Sequence, residues 1–245
     1  MADSRVVTFT NRFKEILYQA VLEYGQSGQG YILDIGCNDG QDIKHLSLAG
    51  KDLKLFGLDM NREALKKGLN RLAGIKNAYL VQGKGEAIPY KSGSFDVVYS
   101  SEVIEHTPDP GGFIAEAWRV LSANGVFIVT TPSRFNYPKL AGALVPGSLK
   151  SHLRRFIYYV KPGPDIDPHF REYTPRELKE LFQRNHFLVV KIIPGVMRVP
   201  FWYLFEKFPV LVSIWEKFDK LVGWVPFGNH LKANYVLLAR KAGKP

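Results

Sequence analysis

A chain of 245 residues, 46% apolar and 23% charged, can bury a substantial core and has the composition of an ordinary globular protein. Its single cysteine, Cys37, excludes an internal disulfide framework and a cysteine-rich zinc site. The net charge of +10 is unevenly spread: residues 1–130 carry 14 Lys and Arg against 15 Asp and Glu, and residues 131–245 carry 19 against 8. The basic second part suits nucleic acid, an anionic membrane face or a phosphorylated substrate, with a merely soluble surface as the plain alternative. No basic start followed by an apolar run and a small-residue cleavage site marks a signal peptide, so the cytoplasm is the expected location.

Phe9, Phe13, Ile16, Leu17, Ala20, Val21 and Tyr24 recur at helical spacing and predict a helix over 9–24, capped by Thr8 or Thr10. Tyr31–Asp34 reads as a short buried strand, Gly36 and Gly40 punctuate the following turn, and Ile43–Leu48 continues as a helix. Lys54–Asp59 is a second strand, again ending in an acid, followed by a helix over Arg62–Leu72. Ala78–Gln82 and Phe95–Ser100 are further strands, Gly112–Leu121 a helix, and Gly125–Thr130 a fifth strand closed by Pro132. Strands that are nearly continuous apolar runs, alternating with helices over short connections, predict an α/β fold. Its sheet is doubly wound, mostly parallel and covered on both faces. Ligands bind such sheets beyond the carboxyl ends of the strands, where strand order reverses. Asp34 and Asp59 both stand at such ends.

Beyond Pro132 the regularity breaks. Residues 133–172 hold five prolines around an apolar and basic piece, LKSHLRRFIYYV. Thr174, Pro175 and Glu177 then open a helix through Phe182 with a capping residue, a proline at the first position and a capping box. Phe187–Ile193 and Ala233–Ala239 are the last strands. The expected organisation is one domain over 1–245, with insertions at 133–172, a cap, and at 195–228, an aromatic and basic segment.

The stretch YILDIGCNDGQDI carries the first chemical signal. A nucleoside-triphosphate loop needs a lysine after the second glycine, and none follows Gly40. A dinucleotide fingerprint needs glycines where Asn38 and Gln41 stand. The remaining turn lets backbone approach a ligand, with Asp34 suited to a positive amino group. Asp59, 25 residues later, is placed to accept hydrogen bonds from both hydroxyls of a ribose. An amino-bearing nucleoside without pyrophosphate points to S-adenosylmethionine. The alternative is that both acids cap helix N-termini.

These stretches resemble the class I S-adenosylmethionine-dependent methyltransferases, in the branch similar to the quinone-biosynthesis enzymes. ILDIGCNDG resembles the family's first motif, with Asp34, Gly36, Cys37 and Gly40; Asn38 stands where a third glycine is frequent, and asparagine tolerates left-handed backbone. Asp59 matches the ribose-binding acid and Met60 the residue flanking adenine. Within QGKGEAIPYKSGSFDVVYSSEVIEH, the resemblance implies that Gly85, Glu86 and Ala87 meet the adenine edge. It makes Ser101, Glu102 and Val103 the wall beside the methionine moiety. Lys84 replaces an acid common in that motif. The resemblance covers roughly 28–132 and 172–193, and implies a seven-stranded Rossmann-like fold, S-adenosyl-L-methionine as cofactor and methyl transfer as activity. It leaves the acceptor open.

For chemistry, His106 after strand four is the best general-base candidate, because imidazole titrates near neutrality. Its alternative is a structural histidine holding Glu102 or Glu105 or capping a helix. His152, His169 and Arg171 come from the insertion. His169 or Arg171 could accept a proton or hold an acidic substrate group, while an Arg171–Glu172 surface pair is the plain alternative. No His, Asp and Glu set has metal-ligand spacing, so no metal is expected. Residues 195–228 are more apolar than the fold needs, yet charged residues and prolines 200, 209 and 226 break them into pieces too short to span a bilayer. They could form a lid over a greasy substrate, lie in a bilayer surface with Lys150, Arg154 and Arg155 nearby, or make a homodimer contact. The leading expectation is O- or C-methylation of a small hydrophobic or lipid-like acceptor. Methylation of RNA or protein and a non-catalytic cofactor-binding scaffold are the competitors.

Overall fold

Each strand of the sheet sends alternate residues to opposite faces, which divides the core into two layers. Leu33, Ile35, Phe95, Phe127 and Leu237 pack on one side with Phe113 and Phe182, while Ile32, Leu55, Val97, Tyr99 and Ile128 pack on the other with Leu17, Val21 and Ile43. Burying each large side chain contributes about 1.5–3 kcal/mol. The computed structural model describes residues 12–25, 30–49, 52–135, 170–196, 205, 207–208, 210–225 and 228–243.

In chain order the elements are α1 (Arg12–Gly25), β1 (Tyr31–Ile35), α2 (Gln41–Ser47), β2 (Lys54–Asp59), α3 (Arg62–Arg71), β3 (Ala78–Gln82) and β4 (Phe95–Ser101). A 3-10 turn (Ile104–His106) leads to α4 (Pro110–Val120) and β5 (Leu121–Pro132); α5 (Pro175–Arg184), β6 (Phe187–Pro194), α6 (Val210–Trp224), a second 3-10 turn (Gly228–Leu231) and β7 (Asn234–Lys241) follow among the described residues. The seven strands lie in the order β3-β2-β1-β4-β5-β7-β6, with β7 antiparallel to both neighbours and the other pairs parallel. This is the doubly wound sheet expected from the sequence.

Local chemistry fixes the helix starts. Asn61 accepts from the N–H groups of Glu63 and Ala64 to cap α3, and Asp109 caps α4 just before Pro110. Thr174 and Glu177 form the expected capping box on α5, with Pro175 at its first position. Strand β5 begins earlier than Gly125: Leu121 pairs with Phe95, and Ser122–Gly125 loop out before Val126 pairs with Val97. Among the described residues of the aromatic segment, α6 is a helix of 15 residues that fits between prolines 209 and 226. Within the 133–172 insertion, 136–169 lie outside the described residues, and with them Lys150, His152, Arg154, Arg155 and His169.

Candidate functional site

Strand order reverses between β1 and β4, and the acids ending β1 and β2 open onto that edge. Asp34 stands in register between Gly57 and Tyr99 and is 3% exposed. Burial, with the carboxylates of Asp42 and Asp59 near, holds its carboxyl well above the usual range; Lys14 and the Tyr99 hydroxyl pull the other way. The Tyr99 hydroxyl is buried beside Asp34, and burial followed by the Asp34 charge pushes it up. Lys14 and Tyr18 of α1 meet Asp42 at 2.5 and 2.7 Å, so the first helix is latched over this side of the turn.

Asp59 is half-buried, and its carboxylate straddles two loops. Oδ2 accepts the Asn38 N–H at 2.7 Å and Oδ1 the Asn61 N–H at 2.8 Å. A carboxylate has about four acceptor positions, so each oxygen retains capacity for another donor. The turn beneath is unusual in conformation: Gly36, Asn38 and Gly40 have φ of 81°, 48° and 71°. Asn38 thus adopts the left-handed geometry anticipated for it. The N–H groups of Gly36 and Cys37 both donate to the Leu58 carbonyl, at 2.7 and 3.1 Å, and tie the turn to the end of β2. A Cβ on Gly36 would overlap Val103, which packs directly on the turn. Cys37 turns its Sγ into the core beside Gly57, and burial pushes the thiol up; only its backbone belongs to the turn.

Met60 follows with its side chain 68% exposed. The Lys84–Ala87 bridge closes a tight turn carrying Gly85 and Glu86, and Gly85 leaves room for the Phe113 ring. A brace absent from the sequence expectations supports this loop. Glu116 accepts the Ile88 N–H at 2.8 Å and binds Arg119, which donates to the carbonyls of Ile88 and Tyr90 at 2.8 and 2.7 Å. The only trace of it in the sequence is a Glu and an Arg three apart on one helix.

The opposite wall begins at Ser101, whose Oγ lies 3.1 Å from Thr130 Oγ1. Glu102 has φ of 59° and donates its N–H to the Thr130 carbonyl. In the 3-10 turn, His106 is half-buried and Glu105 fully buried. The Glu105 carboxyl accepts from Thr131 at 3.1 Å, and burial followed by the nearby Glu102 charge pushes it up to about 8. Its backbone carbonyl accepts the N–H groups of Phe170 and Arg171 at 2.8 and 3.2 Å. The chain thus brings Arg171 to the turn that carries His106. The same arginine lines a groove of about 370 Å³ with Arg134, Tyr173, Glu177 and Arg184. In sequence Glu105 shows only as a candidate partner for His106; nothing in EVIEH marks it as the buried acid rather than Glu102.

Residues 33–129 match the sequence model of a family described as a methyltransferase domain. The chain is 26% identical over 136 residues to a malonyl-[acyl-carrier protein] O-methyltransferase of Legionella pneumophila, covering 56% of this chain and 48% of that protein. It is 26% identical over 152 residues to a fatty-acid O-methyltransferase of Mycolicibacterium smegmatis, covering 61% and 54%. The chain spans about half the length of these curated relatives. A geranyl diphosphate C-methyltransferase from Streptomyces coelicolor shares the fold, with a TM-score of 0.62 at 16% identity over 97% of this chain and 82% of that one. In sheet order, glycine turn and the match over 33–129, the chain is similar to the class I S-adenosylmethionine-dependent methyltransferases. Its fold is the Rossmann-like methyltransferase fold.

Proposed function

We propose that the protein transfers a methyl group from S-adenosylmethionine to the oxygen or carbon of a small, apolar, lipid-like acceptor. The observation that carries this reading is the Asp59 carboxylate, fixed by two backbone amides and retaining an acceptor position on each oxygen. Such a group fits the two hydroxyls of a ribose. Asp34, whose carboxyl burial holds above its usual range, fits a cationic amino group, which would favour its ionised form. The backbone of Gly36, Cys37, Asn38 and Gly40 would line the amino-acid end, with Ser101 and Val103 along the methionine chain. Met60 would cover the adenine and Gly85, Glu86 and Ala87 its edge.

When bound, this cofactor supplies an electrophilic methyl on a sulfonium. The chain's own residues then align the acceptor and receive its proton. His106 is the proposed proton acceptor; Arg171, and His169 two residues before it, would hold an anionic end of the acceptor. Phe135 and Phe170, 42% and 64% exposed, flank Arg134 and Arg171 and favour an acceptor that is apolar apart from that end. The names of the two O-methyltransferase relatives agree with an acyl or carboxyl compound. The resemblance to the quinone-biosynthesis branch adds prenylated phenols.

Incubating the chain with methyl-labelled S-adenosylmethionine and fatty acids, acyl thioesters, prenylated phenols, RNA or protein tests this. Label extracted into organic solvent with one of the first three supports it. Label confined to RNA or protein overturns it. Binding of S-adenosylhomocysteine without turnover of any acceptor indicates a cofactor-binding scaffold.

A further inference from the structure

Helix α6 is apolar on its outward side as well as its inward one. An ordinary surface helix turns apolar residues inward and charges outward. Here the inward face carries Asp219, 5% exposed, whose carboxylate and backbone carbonyl both meet the Nζ of buried Lys232 at 2.6 Å. Beside that pair, Val212, Leu211 and Trp215 pack on Phe205 and Val196, and the Phe205 and Trp215 rings meet edge to face. The inward side is therefore occupied and the helix is anchored.

The outward side is apolar. Val210, Ile214, Phe218, Leu221 and Trp224 follow one another every three or four residues and are 65%, 59%, 45%, 63% and 90% exposed. At roughly 100° per residue they form one stripe. Phe208 and Val225 extend it at the two ends, 47% and 56% exposed. Exposed Lys217 falls within the arc of the stripe and exposed Lys220 flanks it, and Lys207 precedes it. Asp219 is buried and Glu216 is half-buried, so the described outward face of α6 carries cations without an exposed acid.

We propose that this face docks on an anionic lipid surface, with α6 lying in the plane of the interface. Apolar side chains entering the acyl boundary, Trp224 at headgroup level and lysines over anionic headgroups are the pattern of an interfacial helix. No helix among the described residues is long and apolar enough to cross a membrane, which agrees with lying on it. A second copy seated isologously would bring Lys217 and Lys220 close to their own counterparts, like charge against like.

Topology gives the docking a use. Pro132 at the carboxyl end of β5 pairs with Asn234, and Pro194 pairs with Tyr235. The segment from β6 to β7 that contains α6 thus leaves and rejoins the sheet at the edge bearing the candidate site. A docked α6 holds that edge near the lipid. This use rests on the apolar-acceptor reading; the docking itself does not.

The test is flotation of the purified chain with phosphatidylcholine vesicles, with and without phosphatidylglycerol, over a salt series. Wild type is expected to float with the anionic vesicles and to release as salt rises. The L221E/W224E double variant is expected to lose about tenfold or more in partitioning. K217E/K220E is expected to lose the preference for anionic vesicles. Unchanged S-adenosylhomocysteine binding and circular dichroism show that the variants are folded and keep the docking separate from the cofactor reading. Wild type that fails to float, or L221E/W224E that floats equally well, overturns the proposal. So does a wild-type dimer that L221E/W224E converts to monomer without vesicle binding, which assigns the face to a second copy.

Discussion

Replacing Asp59 with alanine separates a structural acid from a ligand-binding one. In the folded chain its two oxygens hold the Asn38 and Asn61 amides at 2.7 and 2.8 Å. Both contacts are solvent-accessible, so water replaces the lost acceptor and stability falls by only about 1 kcal/mol. The proposed ribose hydroxyls are a separate matter. A hydrogen bond to a charged acceptor contributes about 1.5–3 kcal/mol, and losing two that are partly non-additive removes about 3–4 kcal/mol of binding. That corresponds to roughly two to three orders of magnitude in Kd.

Isothermal titration of S-adenosylhomocysteine into wild type and Asp59→Ala measures the difference, with thermal denaturation reporting the fold. Asp59→Asn keeps one carbonyl oxygen and is expected to lie between, about tenfold weaker than wild type. An Asp59→Ala protein that is folded and binds within about twofold of wild type refutes the ribose role. The two amides would then be the whole purpose of the carboxylate, as in the capping alternative.

Asp34 predicts a pH dependence: because burial favours its protonated form and a cationic amino group favours the ionised one, ligand uptake releases a proton and affinity rises with pH as Asp34 ionises. Calorimetry in two buffers of different ionisation heat detects the release, and equal heats at acidic pH count against the amino clamp. Gly36→Ala forces a left-handed residue to carry a Cβ against Val103, and is expected to cost a few kcal/mol in thermal stability; a Tm within a degree or two of wild type contradicts the packing described. Glu105 has an ordinary value of 4.5 and is raised to about 8 when folded, so the folded state holds an extra proton between these values. Its stability contribution is complete below about 4.5 and is lost as pH rises towards 8; the Tm advantage of Glu105→Gln over wild type should therefore widen from pH 5 to 8, and a constant difference excludes a buried acid there.

Much of this site was legible because its signals are local. A strand that ends in an acid and runs into a glycine turn declares both its direction and its open edge, and β1 and β2 each do so. Asn38 could be assigned left-handed backbone from its side chain and its place between two glycines. The braces were illegible because they join distant parts of the chain: Lys14 and Tyr18 to Asp42 across 28 and 24 residues, and Arg119 to the carbonyl of Ile88 across 31. Sequence was likewise silent on the Cys37 thiol, which points into the core beside Gly57 while the backbone of the same residue belongs to the turn.

The aromatic segment shows where hydrophobic pattern stops deciding. In α1 to α5 polar residues mark the outward side, so burial follows from the period of the apolar ones. Along α6 apolar residues occur all round, and sequence leaves core, lid, lipid and partner contact equally open. The choice turns on one acid. Asp219 would be read as a surface residue on any propensity scale, yet Lys232, 13 positions later, draws it inward and satisfies it. A buried charge whose partner arrives from another element needs that partner's geometry, since losing either member leaves an uncompensated charge inside. Fixing Asp219 inward turns Leu221 and Trp224 outward by the helical period alone. The buried pair therefore determines which side of α6 is offered to a lipid surface.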